Sequence, residues 1–158
     1  EDVAEKVAIG AIKYPMISRE NTKIVTFDWD SALDFNGQSA PYIQYANVRA
    51  NSILRKAGNV GGLQAKFEHV LETSEINLIE VISKLPDEIG KSAKEFKPSS
   101  LAAYAYELAK SFNDFYNQCQ VLKVEGDLRD SRLALVQAAR VCLERTLNLL
   151  GIQAPQVM

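Results

Sequence analysis

Histidine, tryptophan, methionine and cysteine are scarce in this 158-residue chain, at one, one, two and two. A single histidine cannot build a metal site, and nothing places a nucleophile beside His69, which sits between Glu68 and Val70 and reads as a surface residue. Cys119 and Cys142 have no His or Cys neighbour at ligand spacing. They read as buried free thiols, with a disulfide as the alternative. Asp28, Asp30 and Asp34 lack the calcium-loop pattern and adjoin an expected helix start, so capping and solvation account for them better than a metal. Glycine-rich phosphate loops and motif-bearing acid–base pairs are missing too, and with them any catalytic residue, metal ligand or cofactor of the chain's own. No apolar run approaches the ~20 residues of a membrane span. The N-terminus shows neither a basic leader nor a signal-like apolar block, so the expected setting is cytoplasmic, with no membrane partner. The chain starts at Glu1 without a methionine, as a piece cut from a longer protein would.

What is present is an ordinary globular composition, 47% hydrophobic and 24% charged, with net charge −2. The length suits one domain with a real core. The charge is unevenly spread: from Gly37 to Phe67 there is no Asp or Glu, yet Arg49, Arg55, Lys56 and Lys66 all fall there. Ser39, Ala40 and Pro41 form a helix start, and Gly58 a stop after about Ala57. At about 100° per residue, Tyr42, Tyr45, Arg49, Ser52 and Lys56 share one side, and Ile43, Ala50, Leu54 and Ala57 another. Cations for phosphates with rings for unstacked bases suit a single-stranded nucleic acid. A packed tyrosine shoulder beside a solvated basic face fits the same pattern.

The remaining segments predict more helices. Val3, Val7, Ala11 and Tyr14 mark one from residue 2 to about 18; Ile24 to Trp29 is a short extended stretch before a brief helix over Asp30 to Phe35. Asn59 to Gly62 reads as a flexible break. Helices from about Ser74 to Leu85 and from Pro86 to Phe96 would bury Ile76, Ile79, Ile82, Ile89, Ala93 and Phe96. Pro98 opens a helix whose stripe of Leu101, Tyr104, Ala105, Leu108, Phe112, Phe115 and Cys119 suits the centre of a bundle, with Tyr106, Asn113 and Tyr116 on its shoulder. Gln120 to Arg129 is a polar connection with a turn at Gly126-Asp127. The last helix, about Asp130 to Leu150, buries Leu135, Val136, Ala139, Cys142, Leu143, Leu147 and Leu150 before Gly151 ends it.

Three ordered motifs carry a resemblance. Phe27-Asp-Trp-Asp-Ser-Ala-Leu33 and Gly37-Gln-Ser-Ala-Pro-Tyr-Ile-Gln-Tyr-Ala-Asn-Val-Arg49 resemble the segment F-D-W-D-x-A-L … G-x-(S/T)-G-P-Y-(L/I)-Q-Y-A-x-x-R that joins the catalytic core of arginyl-tRNA synthetases to their anticodon-binding domain. Ala40 and Asn47 depart from it, where the family commonly has Gly and His. Leu108-Ala-Lys-Ser-Phe-Asn-Asp-Phe-Tyr116 resembles the family's L-A-x-x-F-N-x-F-Y. Leu149-Leu-Gly-Ile-Gln-Ala-Pro-Gln-Val-Met158 resembles its terminal L-L-G-I-x-x-P-x-x-M, as if the natural C-terminus were kept.

The resemblance implies an all-α helical bundle of the class I synthetase anticodon-binding type, in residues 37–158. Residues 1–36 would be a helix and linker from the end of the catalytic domain. It implies a tRNA-binding set of Tyr42, Tyr45, Arg49, Lys56, Tyr116 and Met158, with arginine tRNA, through its anticodon stem-loop, and the chain's own catalytic domain as partners. ATP and arginine would be handled by the parent arginine-tRNA ligase, and the fragment alone would be inactive. The alternative is a helical protein–protein interaction module docking through its apolar faces.

Overall fold

The structure, a computed structural model, describes residues 2–20, 22–58 and 65–158. Every regular element among them is a helix: α1 Asp2–Ile17, α2 Trp29–Ala32, α3 Ala40–Ala57, α4 Thr73–Ser83, α5 Leu85–Glu95, α6 Pro98–Gln118 and α7 Gly126–Leu149. The break expected at Asn59 to Gly62 lies outside the described residues. α6 runs through the middle, with α4 and α5 on one flank and α1, α3 and α7 on the other. Its whole expected stripe, Leu101 to Cys119, is buried. Two buried phenols fasten neighbours to it or from it. Tyr14 of α1 donates to the Ala102 carbonyl at 3.0 Å, and Tyr104 to the Val81 carbonyl at 3.0 Å. Burial pushes the Tyr14 phenol up to about 12 and raises that of Tyr104 as well, so both stay neutral donors.

α3 starts and stops where its sequence signals put it. The Ser39 hydroxyl accepts from the Tyr42 amide at 3.2 Å, Pro41 lies in the first turn, and Gly58 caps the end. The guanidinium of Arg129 donates to the Ala57 carbonyl at 3.2 Å, occupying one of the acceptors a helix C-terminus leaves open. More of α3 is covered than one apolar stripe would require, because Gln44, Asn47 and Asn51 are buried along with Ile43, Ala46, Ala50 and Ile53.

Elsewhere the structure corrects the sequence. α4 and α5 bury a different phase from the expected one: Ser74, Glu75, Leu78, Val81 and Leu85 face inwards, Ile79, Ile82 and Ile89 are half-buried, and Ile76 and Ala93 are exposed. Phe96 is 84% exposed and takes a left-handed conformation at the C-cap of α5. Apolar residues at 76, 78, 79, 81 and 82 serve two helical phases, and a buried ion pair selects between them. Arg132 donates to Glu75 at 2.9 Å and to the Gln120 carbonyl at 2.9 Å, while the Glu72 amide reaches Glu75 at 2.8 Å. His69 is not the free surface residue expected, but is partly buried with its Nε2 3.3 Å from Glu75. Burial alone would raise the Glu75 carboxyl. The Glu72 amide, then Arg132 and His69, outweigh it and hold the group below its ordinary range. α7 begins four residues early, at Gly126. The Gly-Asp pair is a helix start instead of a turn, with Gly126 left-handed (φ 62°) and Asp127 an acid in the first turn, where the helix dipole favours it.

Candidate nucleic-acid interface

The outer side of α3 meets the end of α6 at a stacked trio. The Arg49 guanidinium carbon lies 4.8 Å from the ring centroid of Tyr45 and 4.8 Å from that of Tyr116. One planar cation thus sits between two phenols, from a helix turn away on α3 and from across the helix interface on α6. Asn113, one turn before Tyr116, accepts a hydrogen bond from Arg49 Nη1 and fixes the plane of the guanidinium. Phe35, from the segment between α2 and α3, meets Tyr45 edge-on at 6.3 Å. Tyr45 and Tyr116 remain 41% and 42% exposed, so the trio is ordered by packing yet faces solvent.

Two hollows flank it. One, of about 330 Å³, is lined by Tyr45, Val48, Arg49, Ser52, Arg55, Tyr116, Val157 and Met158. The other, of about 400 Å³, runs from Arg49, Ser52 and Lys56 past Tyr116 to Leu122 and Lys123, over a floor of Ile53 and Val121. Neither has an Asp or Glu in its lining. On the α4–α6 flank, by contrast, a groove mixes Glu80, Glu107 and Asp114 with Lys84 and Lys110. With Arg49, Arg55, Lys56 and Lys123 in their linings and no carboxylate side chain, the two hollows carry a local positive field in which a polyanion is drawn to the rings.

Of the residues the sequence singled out, Tyr45, Arg49, Tyr116 and Met158 line one hollow, and Lys56 the adjoining one. Tyr42 lines neither; it is half-buried and packs on Tyr106 with ring centroids 5.4 Å apart. Asp28 caps α2, its carboxylate accepting from the Ser31 amide at 2.9 Å and hydroxyl at 2.6 Å, and these bonds hold its pKa below the usual value. Cys119 is buried and Cys142 half-buried, both as free thiols.

Sequence reasoning passed over the residues that bring Met158 here. After α7, Gly151 turns the chain in the left-handed region (φ 68°), Ile152 enters the core, and the last residues run along α3. Gln44 Nε2 donates to the Gln153 carbonyl at 2.8 Å, and Asn47 Nδ2 to the Pro155 carbonyl at 3.2 Å. Amides at positions 44, 47 and 51, three and four apart on a helix that also has an apolar face, were the available signal.

A family model described as DALR anticodon binding domain matches residues 43–158. An arginine–tRNA ligase of Pyrococcus abyssi (strain GE5 / Orsay) is 45% identical over 162 residues, covering 100% of this chain and 26% of the relative. Among solved structures, an arginyl-tRNA synthetase of Thermus thermophilus superposes with a TM-score of 0.93 at 38% identity, covering 99% of this chain and 27% of the other. That of Plasmodium falciparum superposes with a TM-score of 0.88 at 28% identity, covering 99% and 28%. The chain thus spans about a quarter of the length of the relatives it matches.

Proposed function

The chain belongs to the DALR anticodon binding domain family, as that domain occurs in arginyl-tRNA synthetases, and from that premise we propose that it grips the anticodon stem and loop of arginine tRNA. The observation that carries this reading is the Tyr45–Arg49–Tyr116 stack, open to solvent in a hollow without acidic side chains. Bases splayed out of a loop stack on such rings, and Arg49, Arg55, Lys56 and Lys123 are in reach of the phosphates that follow. Arginine codons all have G as their second base, so the middle anticodon base is always C, and discrimination concentrates there. The parent protein, in the cytoplasm, would use ATP to activate arginine and charge the 3′ end of the bound tRNA. Residues 1–36 would join this domain to the catalytic one.

A second feature fits the same reading. Ile9, Ile12 and Met16 stand exposed at helical spacing on α1, with Trp29 and Leu33 exposed on and beside α2. Such a row suits coverage by the catalytic domain of the parent better than docking of an unrelated protein. The test is a filter-binding titration of the chain with arginine tRNA and with a non-cognate tRNA across a range of salt. Weak, cognate-preferring binding that falls steeply with salt is expected, since only a few cations are available to neutralise phosphates and the rest of the chain is acidic. Equal binding of both tRNAs, or binding indifferent to salt, would count against the reading.

A further inference from the structure

We propose that Gln44 is a positioning residue: its side-chain amide clamps the C-terminal tail to α1 and α3 and thereby sets Met158 beside Tyr45 and Tyr116. The proposal rests on the reading of that hollow as the tRNA surface and adds a residue that touches no RNA. Gln44 is fully buried, and its Nε2 donates in two directions, to the Lys6 carbonyl in α1 at 3.1 Å and to the Gln153 carbonyl in the tail at 2.8 Å. Gln153 lies outside any helix, so this donor substitutes for the ladder bond its carbonyl would have inside one. The fit is close on the far side too. A Cβ on Gly10 would stand 3.1 Å from Gln44 Nε2 and 3.2 Å from the Ala40 Cβ, so a glycine there lets α1 approach the amide.

The clamp matters because of how few residues separate it from Met158. With Gln153 held by Gln44 and Pro155 by Asn47, only three residues lead to Met158. At roughly 3.5 Å per extended residue, Met158 cannot stray more than about 10 Å from the anchored proline. Without the Gln44 bond, the Gln153 carbonyl loses its side-chain donor, and this exposed residue is free to turn it towards water. Asn47 still holds Pro155, so the tail keeps one anchor, but the wall that Val157 and Met158 give the hollow is set less firmly.

Three chains test this: Gln44→Met, which keeps the volume but removes the donor, a truncation lacking residues 156–158, and the two combined. Hydrogen exchange, with no RNA present, should show the tail amides of Gln44→Met opening several-fold faster while those of α3 hold. An arginine tRNA transcript should bind Gln44→Met and the truncated chain each more weakly, by roughly ten-fold. The combined chain should bind no worse than the truncation alone, because Gln44 acts only through the tail. Unchanged tail exchange in Gln44→Met overturns the clamp, and so does an equal further loss when Gln44→Met is added to the truncation. Should Gln44→Met not fold, the wild-type protein still decides: its Gln44 side-chain protons must be protected from exchange, and free exchange overturns the proposal. Tyr45→Ala, titrated alongside, separates the two readings. Undiminished binding there counts against the tRNA surface, while the exchange result still judges the clamp.

Discussion

Glu75 is a carboxylate with no exposed surface, held by Arg132, the Glu72 amide and His69. Its lowered pKa makes it a source of acid sensitivity. The stability it contributes is fully present above the ordinary glutamate value of about 4.3 and is lost as pH falls through the folded-state value. Urea denaturation should therefore show stability falling below about pH 4.5. Glu75→Gln should cost about 3 kcal/mol at pH 7, where it strands the Arg132 charge, and should flatten the acid limb. An acid limb unchanged in Glu75→Gln would mean that other carboxylates control it. The burial of this group was not legible in the sequence, because a buried polar side chain has the same one-letter code as a solvated one, and for Gln44 the spacing of the amides at 44, 47 and 51 was the one signal available. Tyr45, Arg49 and Tyr116 were legible as a candidate set. That Tyr45 and Arg49 share one side of α3 follows from helical spacing, and the candidacy of Tyr116 from the family resemblance, but the sandwich of Arg49 between the rings does not, since it depends on how α6 lies against α3.

Helices differ in how plainly their sequences speak. α3 is bracketed by Ser39-Ala-Pro41 and Gly58, so its ends were readable, although of its expected inner face Ile43 and Ala50 are buried and Leu54 and Ala57 only half-buried; α6, with Pro98 and an apolar stripe of only one possible phase, was readable in its start and buried face together. α4 offers two phases, and the partner that selects one, Arg132, lies in α7, 57 residues from Glu75. The start of α7 was misread because a glycine followed by an aspartate suits a turn and a helix N-terminus alike. The placement of α6 at the centre of the bundle has an energetic consequence. Phe112 is fully buried and packs against Phe115 at 6.4 Å between centroids. Phe112→Ala should cost about 3 to 5 kcal/mol in chemical denaturation. A loss below about 1 kcal/mol would show that the axis of the bundle runs elsewhere.

At the scale of the molecule, the arrangement is a helical bundle that leaves one hollow, walled by exposed rings, arginines and the tail, without a carboxylate side chain in its lining. The chain spans about a quarter of the length of its relatives, and in the proposed division of labour ATP is handled by the rest of the parent, so pyrophosphate exchange with arginine should stay at the blank; turnover by the pure chain would overturn that division. The central claim is that the Tyr45–Arg49–Tyr116 surface reads the middle anticodon base, and it is tested most directly by comparing two tRNAs on four proteins. The tRNAs are arginine tRNA and the same molecule with its middle anticodon cytosine replaced. The proteins are the wild type, Tyr45→Ala, Arg49→Ala and Tyr116→Ala, each first shown to melt as a folded chain. The wild type should prefer the unaltered tRNA, and each tyrosine variant should lose about 1 to 3 kcal/mol of binding and most of that preference. Arg49→Ala should weaken binding and, if the guanidinium neutralises a phosphate, flatten the salt slope by about one unit. If the variants melt early while the protein that stays folded still tells the two tRNAs apart, the trio is packing and the anticodon is read elsewhere.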